Sequence, residues 1–108
     1  MDSTARTREL NDAFRKTFIG GCVKMTVGVS TLDAEDKLAI LTKVQSFDAF
    51  DRNIDPYCEH DFVKVAHEGT TYFGKIDYYA PDLQHGSDDP ADASKTARVL
   101  TVMRADEY

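Results

Sequence analysis

The chain has 108 residues, of which 42% are hydrophobic and 30% are charged, and its formal net charge is −6. Because domains typically contain about 100 to 150 residues, we predict a single domain over residues 1–108. No stretch approaches the ~18 uninterrupted apolar residues of a membrane span, and Met1–Lys16 is polar and of mixed charge, unlike a secretory signal. We therefore expect a cytoplasmic protein that does not contact a membrane.

The excess of negative charge lies entirely in the second half of the chain. Residues 1–54 carry eight basic and eight acidic residues, whereas residues 55–108 carry five basic and eleven acidic ones. An acidic surface repels phosphate groups and attracts basic proteins, so we expect no direct binding to DNA or RNA and a partner protein with a basic surface. The alternative is that the charge only keeps a small domain soluble.

The first half predicts a helix, a strand and a second helix. Leu10, Phe14 and Phe18 recur every four residues, which indicates a helix over 3–18 that ends before two glycines. A strand is predicted over 22–29, where four apolar residues alternate with other types and should face the core: Val23, Met25, Val27 and Val29.

The second helix is predicted over 32–46. Ser30 to Asp33 resembles a capping box, and five apolar residues follow at helical spacing: Ala34, Leu38, Leu41, Val44 and Phe47. The segment 48–57 contains turn-forming residues without periodicity, so we interpret it as a loop.

Two strand-like runs, 62–67 and 70–79, are separated only by Glu68 and Gly69, which predicts a hairpin with a two-residue turn. In that register Val63 lies opposite Gly74, and His60 would lie opposite Asp77.

After a loop over 80–95, the last predicted strand is 98–104, and its apolar residues on both faces indicate an inner position. The predicted fold is therefore α+β: a mainly antiparallel sheet of about four strands with both helices on one face.

The predicted pair of His60 and Asp77 admits two interpretations. In a hydrolase, His60 would be a general base, Asp77 would orient it, and Cys58 would be the nucleophile. Alternatively, the pair is a structural contact between strands, since ion-pair networks outside active sites are common.

Metal binding at Glu59, His60 and Asp61 would need His85 or Asp77 as a further ligand, because neighbouring residues of a strand point to opposite sides. The aspartates of the 80–95 loop lack the ligand spacing of an EF-hand. Nucleotide-loop, hydrolase-elbow and zincin motifs are absent from the sequence, so we predict no metal and no cofactor. Cys22 and Cys58 are not in a CxxC motif and are interpreted as free thiols.

Several segments together resemble a bacterial family of small proteins classed only as a domain of unknown function. They are LNDAFR at 10–15, EHDF at 59–62, KIDYY at 75–79, GSDDPAD at 86–92, RVLTVM at 98–103 and EY at 107–108. The resemblance implies a bacterial source and frequent association with plasmids, phages or other mobile elements. The family pattern has Gly at the positions of Val63 and Cys58 and an aromatic residue at that of Gly74.

We predict a non-enzymatic, acidic binding protein, in keeping with a mobile-element accessory or an anti-defence inhibitor of the anti-CRISPR or anti-restriction type. The residues predicted to contact its partner are Glu59, His60, Asp61, Asp77, Tyr79, Asp82, Asp88, Asp89 and Asp92. The alternative is a small hydrolase or metal-dependent enzyme that uses His60 and Asp77. The sequence makes no prediction about the oligomeric state.

Overall fold

A computed structural model describes residues 2–108 and contains one four-stranded sheet in the order β1-β4-β3-β2. The strands are β1 (Gly21–Met25), β2 (Phe62–His67), β3 (Thr70–Tyr79) and β4 (Ala97–Arg104). The helices are α1 (Ser3–Thr17), α2 (Val27–Ser30) and α3 (Ala34–Ser46), and 3-10 turns lie at Ala93–Lys95 and Ala105–Glu107. The predicted α+β class is confirmed. The sheet is antiparallel except that β1 runs parallel to β4. None of the helices within residues 2–108 has the length and hydrophobicity of a membrane span.

Helix α1 agrees with its prediction except at the last residue. The Asp2 side chain accepts a hydrogen bond from the Ala5 amide and caps the start. Phe18 adopts a left-handed conformation with φ 59° and ends the helix. Phe14 is buried in the core, but the same side of the helix also buries polar residues that the apolar pattern did not reveal: Thr7, Asn11 and Arg15.

The strand predicted over 22–29 was wrong beyond Met25. The chain turns at Thr26 and forms the single helical turn α2, in which Val29 is fully buried while Val27 is 73% exposed. The carboxylate of Glu107 holds this turn, because it accepts hydrogen bonds from the Thr26 hydroxyl at 2.7 Å and from the Gly28 amide at 2.9 Å. Alternating valines fit a strand equally well, so the sequence pattern alone could not place this turn.

Helix α3 begins one turn later than the predicted capping box. Asp33 is its N-cap, and the Asp33 carboxylate accepts a hydrogen bond from the Asp36 amide at 2.9 Å. Ile40 and Val44 are fully buried, whereas Leu38, which the predicted stripe included, is 66% exposed. The helix was therefore predicted correctly, but its buried face is centred on Ile40.

The predicted hairpin register is confirmed. Glu68 and Gly69 both have positive φ, 49° and 80°, as a tight two-residue turn requires. Val63 lies opposite Gly74, and a Cβ at position 74 would come within 2.8 Å of Val63 Cγ2. The small residue on β3 therefore makes room for the larger one on β2.

The two faces of the sheet differ in what covers them. All three helices contribute to a core on one face, where they meet apolar residues of the strands: Val63, Val65, Tyr72, Ile76, Leu100 and Val102. Strand β4 lies inside the sheet, as predicted. The opposite face, which we call the aromatic face, carries Phe62, Phe73, Lys75, Asp77, Val99, Thr101 and Met103. Tyr108 packs onto it, with its ring 5.9 Å from Phe62 and 5.8 Å from Phe73.

Candidate binding site at one end of the sheet

The fold places the predicted binding residues at one end of the sheet. Because β2 and β3 are antiparallel, the start of β2 lies beside the end of β3. The 80–95 loop leaves from that end of β3 and returns to β4, where Ala97 pairs with Tyr79. We call this region the acidic end; its acidic residues are Asp55, Glu59, Asp61, Asp77, Asp82, Asp88, Asp89 and Asp92.

Two aspartates of the 80–95 loop stabilise the loop itself. The Asp82 carboxylate accepts hydrogen bonds from the amides of Gln84 and His85, and these bonds lower the pKa of Asp82. The Asp92 carboxylate accepts from the side chain and amide of Ser94, which likewise lowers its pKa. Asp88 is exposed. The loop thus remains negatively charged at neutral pH while its turns are held by carboxylates.

The predicted contact between His60 and Asp77 is not formed. His60 Nδ1 lies 2.9 Å from a carboxylate oxygen of Asp12 on α1, and its ring stacks on Phe50 with centroids 3.8 Å apart. Asp77 instead forms an ion pair with Lys75 at 3.3 Å.

The hairpin ladder ends before it reaches His60. Its last bond joins the Ile76 amide to the Asp61 carbonyl at 2.8 Å. Cys58 and His60 then adopt left-handed φ values of 59° and 55°, which no strand accommodates. The buried carboxylate of Asp55 stabilises this bend by accepting hydrogen bonds from the amides of Glu59 and His60.

The predicted catalytic triad is not assembled within the described residues. His60 Nδ1 is bonded to Asp12 rather than to Asp77, its Nε2 lies 3.7 Å from Asp55, and no hydrogen bond joins His60 to Cys58. Cys58 is exposed, and both it and Cys22 are free thiols, as predicted.

Glu59 belongs to a partly buried polar network. Its carboxylate accepts a hydrogen bond from the Tyr78 hydroxyl at 2.8 Å, and its carbonyl accepts one from Asn11 at 3.0 Å. Asn11 also donates to the Tyr78 hydroxyl and accepts from Arg98 Nε, both at 2.7 Å. Burial, together with the bond to Glu59, raises the pKa of Tyr78. Both the carboxylate and the carbonyl of Glu59 are thus occupied by hydrogen bonds within the protein.

Sequence reasoning missed Asn11 and Arg98, which tie α1 and β4 to the acidic end, and Arg15, which joins α1 to the segment after α3. The available signal was the four-residue spacing of Thr7, Asn11 and Arg15 beside Phe14. Polar residues at helical spacing more often indicate a solvated face, so this spacing does not by itself predict burial.

A groove opens between the acidic end and the aromatic face. It encloses about 500 Å³ and is walled mainly by apolar and aromatic residues: Ile54, Pro56, Tyr57, Phe62, Phe73 and Tyr108. Asp61 and Lys75 supply charged groups along it. Burial, reinforced by the nearby charges of Glu59, Asp55 and Asp77, raises the pKa of Asp61. The arrangement combines exposed aromatic surface with local negative charge.

One cluster of possible metal ligands lies elsewhere, at Asp36, His67 and Glu68, and was not anticipated from the sequence. His67 Nε2 lies 2.8 Å from Asp36 Oδ1, while Lys43 Nζ lies 3.3 Å from His67 Nδ1. Lys43 Nζ also donates to the Ala66 carbonyl at 2.7 Å, which fixes its positive charge beside the His67 ring, where it would repel a metal cation. We therefore interpret the cluster as a contact between α3 and the hairpin.

A comparison with protein families gives a match. A family model described as "Protein of unknown function (DUF3768)" matches residues 25–107. The chain belongs to this family. The DUF3768 match includes the acidic end and the strands that carry the groove, whereas α1, with Asp12 and Arg15, precedes it. Searches of curated proteins and of solved structures found no match.

Proposed function

We propose that the protein is a non-enzymatic binding protein whose acidic end docks onto a basic surface of another protein. The proposal rests on one observation: the fold brings the acidic residues from the start of β2, the end of β3 and the following loop to one place, beside an exposed aromatic groove. Clustered negative charge attracts a basic partner over a distance. Aromatic surface supplies the apolar contact that retains it.

The same proposal extends to the biological setting. We place the protein in the cytoplasm of a bacterium, as an accessory of a mobile element that inhibits a host defence system by protein contact. A host defence protein that binds nucleic acid would carry the basic surface that the proposed docking requires. The support is the composition and charge distribution of the chain and the association with mobile elements that the resemblance of its segments implies.

The experiment compares two variants of equal net charge. The test variant carries Asp61→Asn, Asp77→Asn and Asp88→Asn, all at the acidic end. The control carries Glu35→Gln, Asp48→Asn and Glu68→Gln, which are exposed positions elsewhere. The immobilised wild-type protein and both variants are incubated with host lysate and eluted in steps of increasing salt.

We expect wild type and control to retain the same protein and the test variant to lose it. Elution should occur within a few hundred millimolar salt, because screening weakens exposed charge contacts. Equal retention by all three proteins, or elution independent of salt, would contradict the proposal.

A further inference from the structure

The groove is large enough to admit an extended side chain, and its walls are mainly apolar and aromatic. Its volume of about 500 Å³ lies in the range of ligand pockets, roughly 300 to 1,000 Å³. Tyr57 and Tyr108 are 77% and 72% exposed, although aromatic residues of this size usually find cover. Phe62 and Phe73 form its floor, with ring centroids 4.9 Å apart.

One of the two charged groups in this groove, Asp61, has no partner within the described residues. The carboxylate of Asp61 receives no hydrogen bond from another residue and forms no ion pair within residues 2–108. The other carboxylates nearby are engaged: Asp55 with backbone amides, Glu59 with Tyr78 and Asp77 with Lys75. A half-buried carboxylate among other carboxylates is complemented by a cation.

We infer that the groove binds the side chain of an arginine of the partner protein, with Asp61 as its counter-ion and the aromatic rings as its walls. This inference rests on the proposed function and specifies the chemistry at its centre. A guanidinium is planar and weakly hydrated, stacks on aromatic rings and pairs with a carboxylate through two parallel hydrogen bonds. A lysine ammonium is more strongly hydrated and offers no planar surface to stack.

The protein itself packs two arginines against aromatic rings. Arg15 lies with its guanidinium carbon 5.1 Å from the centre of the Phe50 ring and donates to Asp12 at 2.9 Å. Arg98 lies 5.4 Å from the Tyr78 ring. In the groove, Lys75 Nζ already lies 5.9 Å from the Tyr108 ring, so this ring tolerates a cation. Since Lys75 is paired with Asp77, the carboxylate of Asp61 remains for the incoming group.

The test titrates the full-length protein with three small probes while its aromatic and amide NMR signals are followed. The probes are N-acetyl-arginine methylamide, the corresponding lysine compound and the citrulline compound, which has nearly the shape of arginine without its charge. We expect the arginine probe to shift signals of Phe62, Phe73 and Tyr108. Its affinity should exceed that of the lysine probe about threefold and that of the citrulline probe about tenfold, from cation–π and charge-assisted contributions.

Two variants localise the effect. Asp61→Asn should weaken arginine binding about tenfold, whereas Asp48→Asn, the same substitution at an exposed position outside the acidic end, should change it less than twofold. Tyr57→Ala removes an exposed wall without disturbing the core and should weaken binding severalfold. Thermal unfolding checks that each variant is folded. If Asp61→Asn does not fold, the effect of Tyr57→Ala on arginine binding tests the inference.

Equal binding of the arginine and citrulline probes, or full binding by Asp61→Asn or Tyr57→Ala, would overturn the inference. Tighter binding of the lysine probe would also overturn the inference, because the preferred side chain would then be a lysine. The proposed function is tested separately from this inference. If the triple variant loses the partner while the single variant Asp61→Asn keeps it, docking at the acidic end stands without an arginine in the groove.

Discussion

Asp12 of α1 and His60 of the loop before β2 are joined across 48 positions of sequence by a contact of 2.9 Å. Asp12 also accepts a hydrogen bond from Arg15, whose side chain is almost wholly buried, at 2.9 Å. One carboxylate therefore connects the helix, the loop and a buried guanidinium. Its removal would leave the Arg15 charge without its anionic partner, which is costly in a protein interior.

We predict that Asp12→Asn destabilises the protein at neutral pH by roughly 1 kcal/mol, a figure discounted because the carboxylate is partly solvated. Partial burial acts to raise the pKa of Asp12, but hydrogen bonds from His60 and Arg15 together outweigh it and lower the pKa. A lowered pKa in the folded state means that the stabilisation is present above the unfolded pKa of about 4 and is lost as the pH falls.

The measurement is thermal unfolding of wild type and Asp12→Asn at pH 7 and pH 3. The difference in Tm should be about 5 °C at pH 7 and should shrink at pH 3. Glu9→Gln, which breaks only an exposed ion pair with Arg6 on the same helix, serves as the control and should change Tm little at either pH. A difference for Asp12→Asn that is the same at both pH values would contradict the prediction.

The network around Asn11 predicts unequal effects of two substitutions. Asn11→Ala deprives the buried Arg98 of the acceptor for its Nε, so we expect a loss of about 3 kcal/mol in the free energy of unfolding. Tyr78→Phe removes a hydroxyl but leaves Asn11 bonded to the Glu59 carbonyl and to Arg98, so about 1 kcal/mol should be lost. Urea denaturation measures both. Equal losses, or a larger one for Tyr78→Phe, would show that Arg98 does not depend on Asn11.

Local features of the sequence predicted the elements well, and long-range contacts explain the errors. The Glu68-Gly69 turn fixed the hairpin register because alternation and turn geometry are both local. The same register failed at His60 because hydrogen bonds to Asp55 and α1 end the strand there, and these partners are distant in sequence. The groove could not be predicted, since its walls come from a loop without periodicity, the hairpin and Tyr108.

Val63 and Gly74 should show strong energetic coupling. Gly74→Ala places a Cβ 2.8 Å from Val63 Cγ2 and 3.3 Å from Val44 Cγ1, so we expect a loss of about 1–3 kcal/mol from overpacking. Val63→Ala alone should cost a similar amount, because it leaves a cavity in the core. The double variant should be more stable than the sum of the single effects predicts by about 1 kcal/mol, since the Cγ2 that clashes is gone. A double-mutant cycle by urea denaturation tests this, and strict additivity would contradict it.

Cys58 adopts a left-handed conformation with φ 59°, and its side chain is exposed. A side chain costs ~1–2 kcal/mol in this conformation, whereas glycine loses only about 0.5–1 kcal/mol through its greater freedom when unfolded. We therefore predict that Cys58→Gly stabilises the protein by about 0.5–1 kcal/mol.

Cys22→Gly is the matched control: it removes the other exposed thiol from strand β1, and we expect it to destabilise by a similar amount. Thermal and urea unfolding of the two variants should thus show shifts of opposite sign, and destabilisation by both would mean that the bend at Cys58 stores no strain.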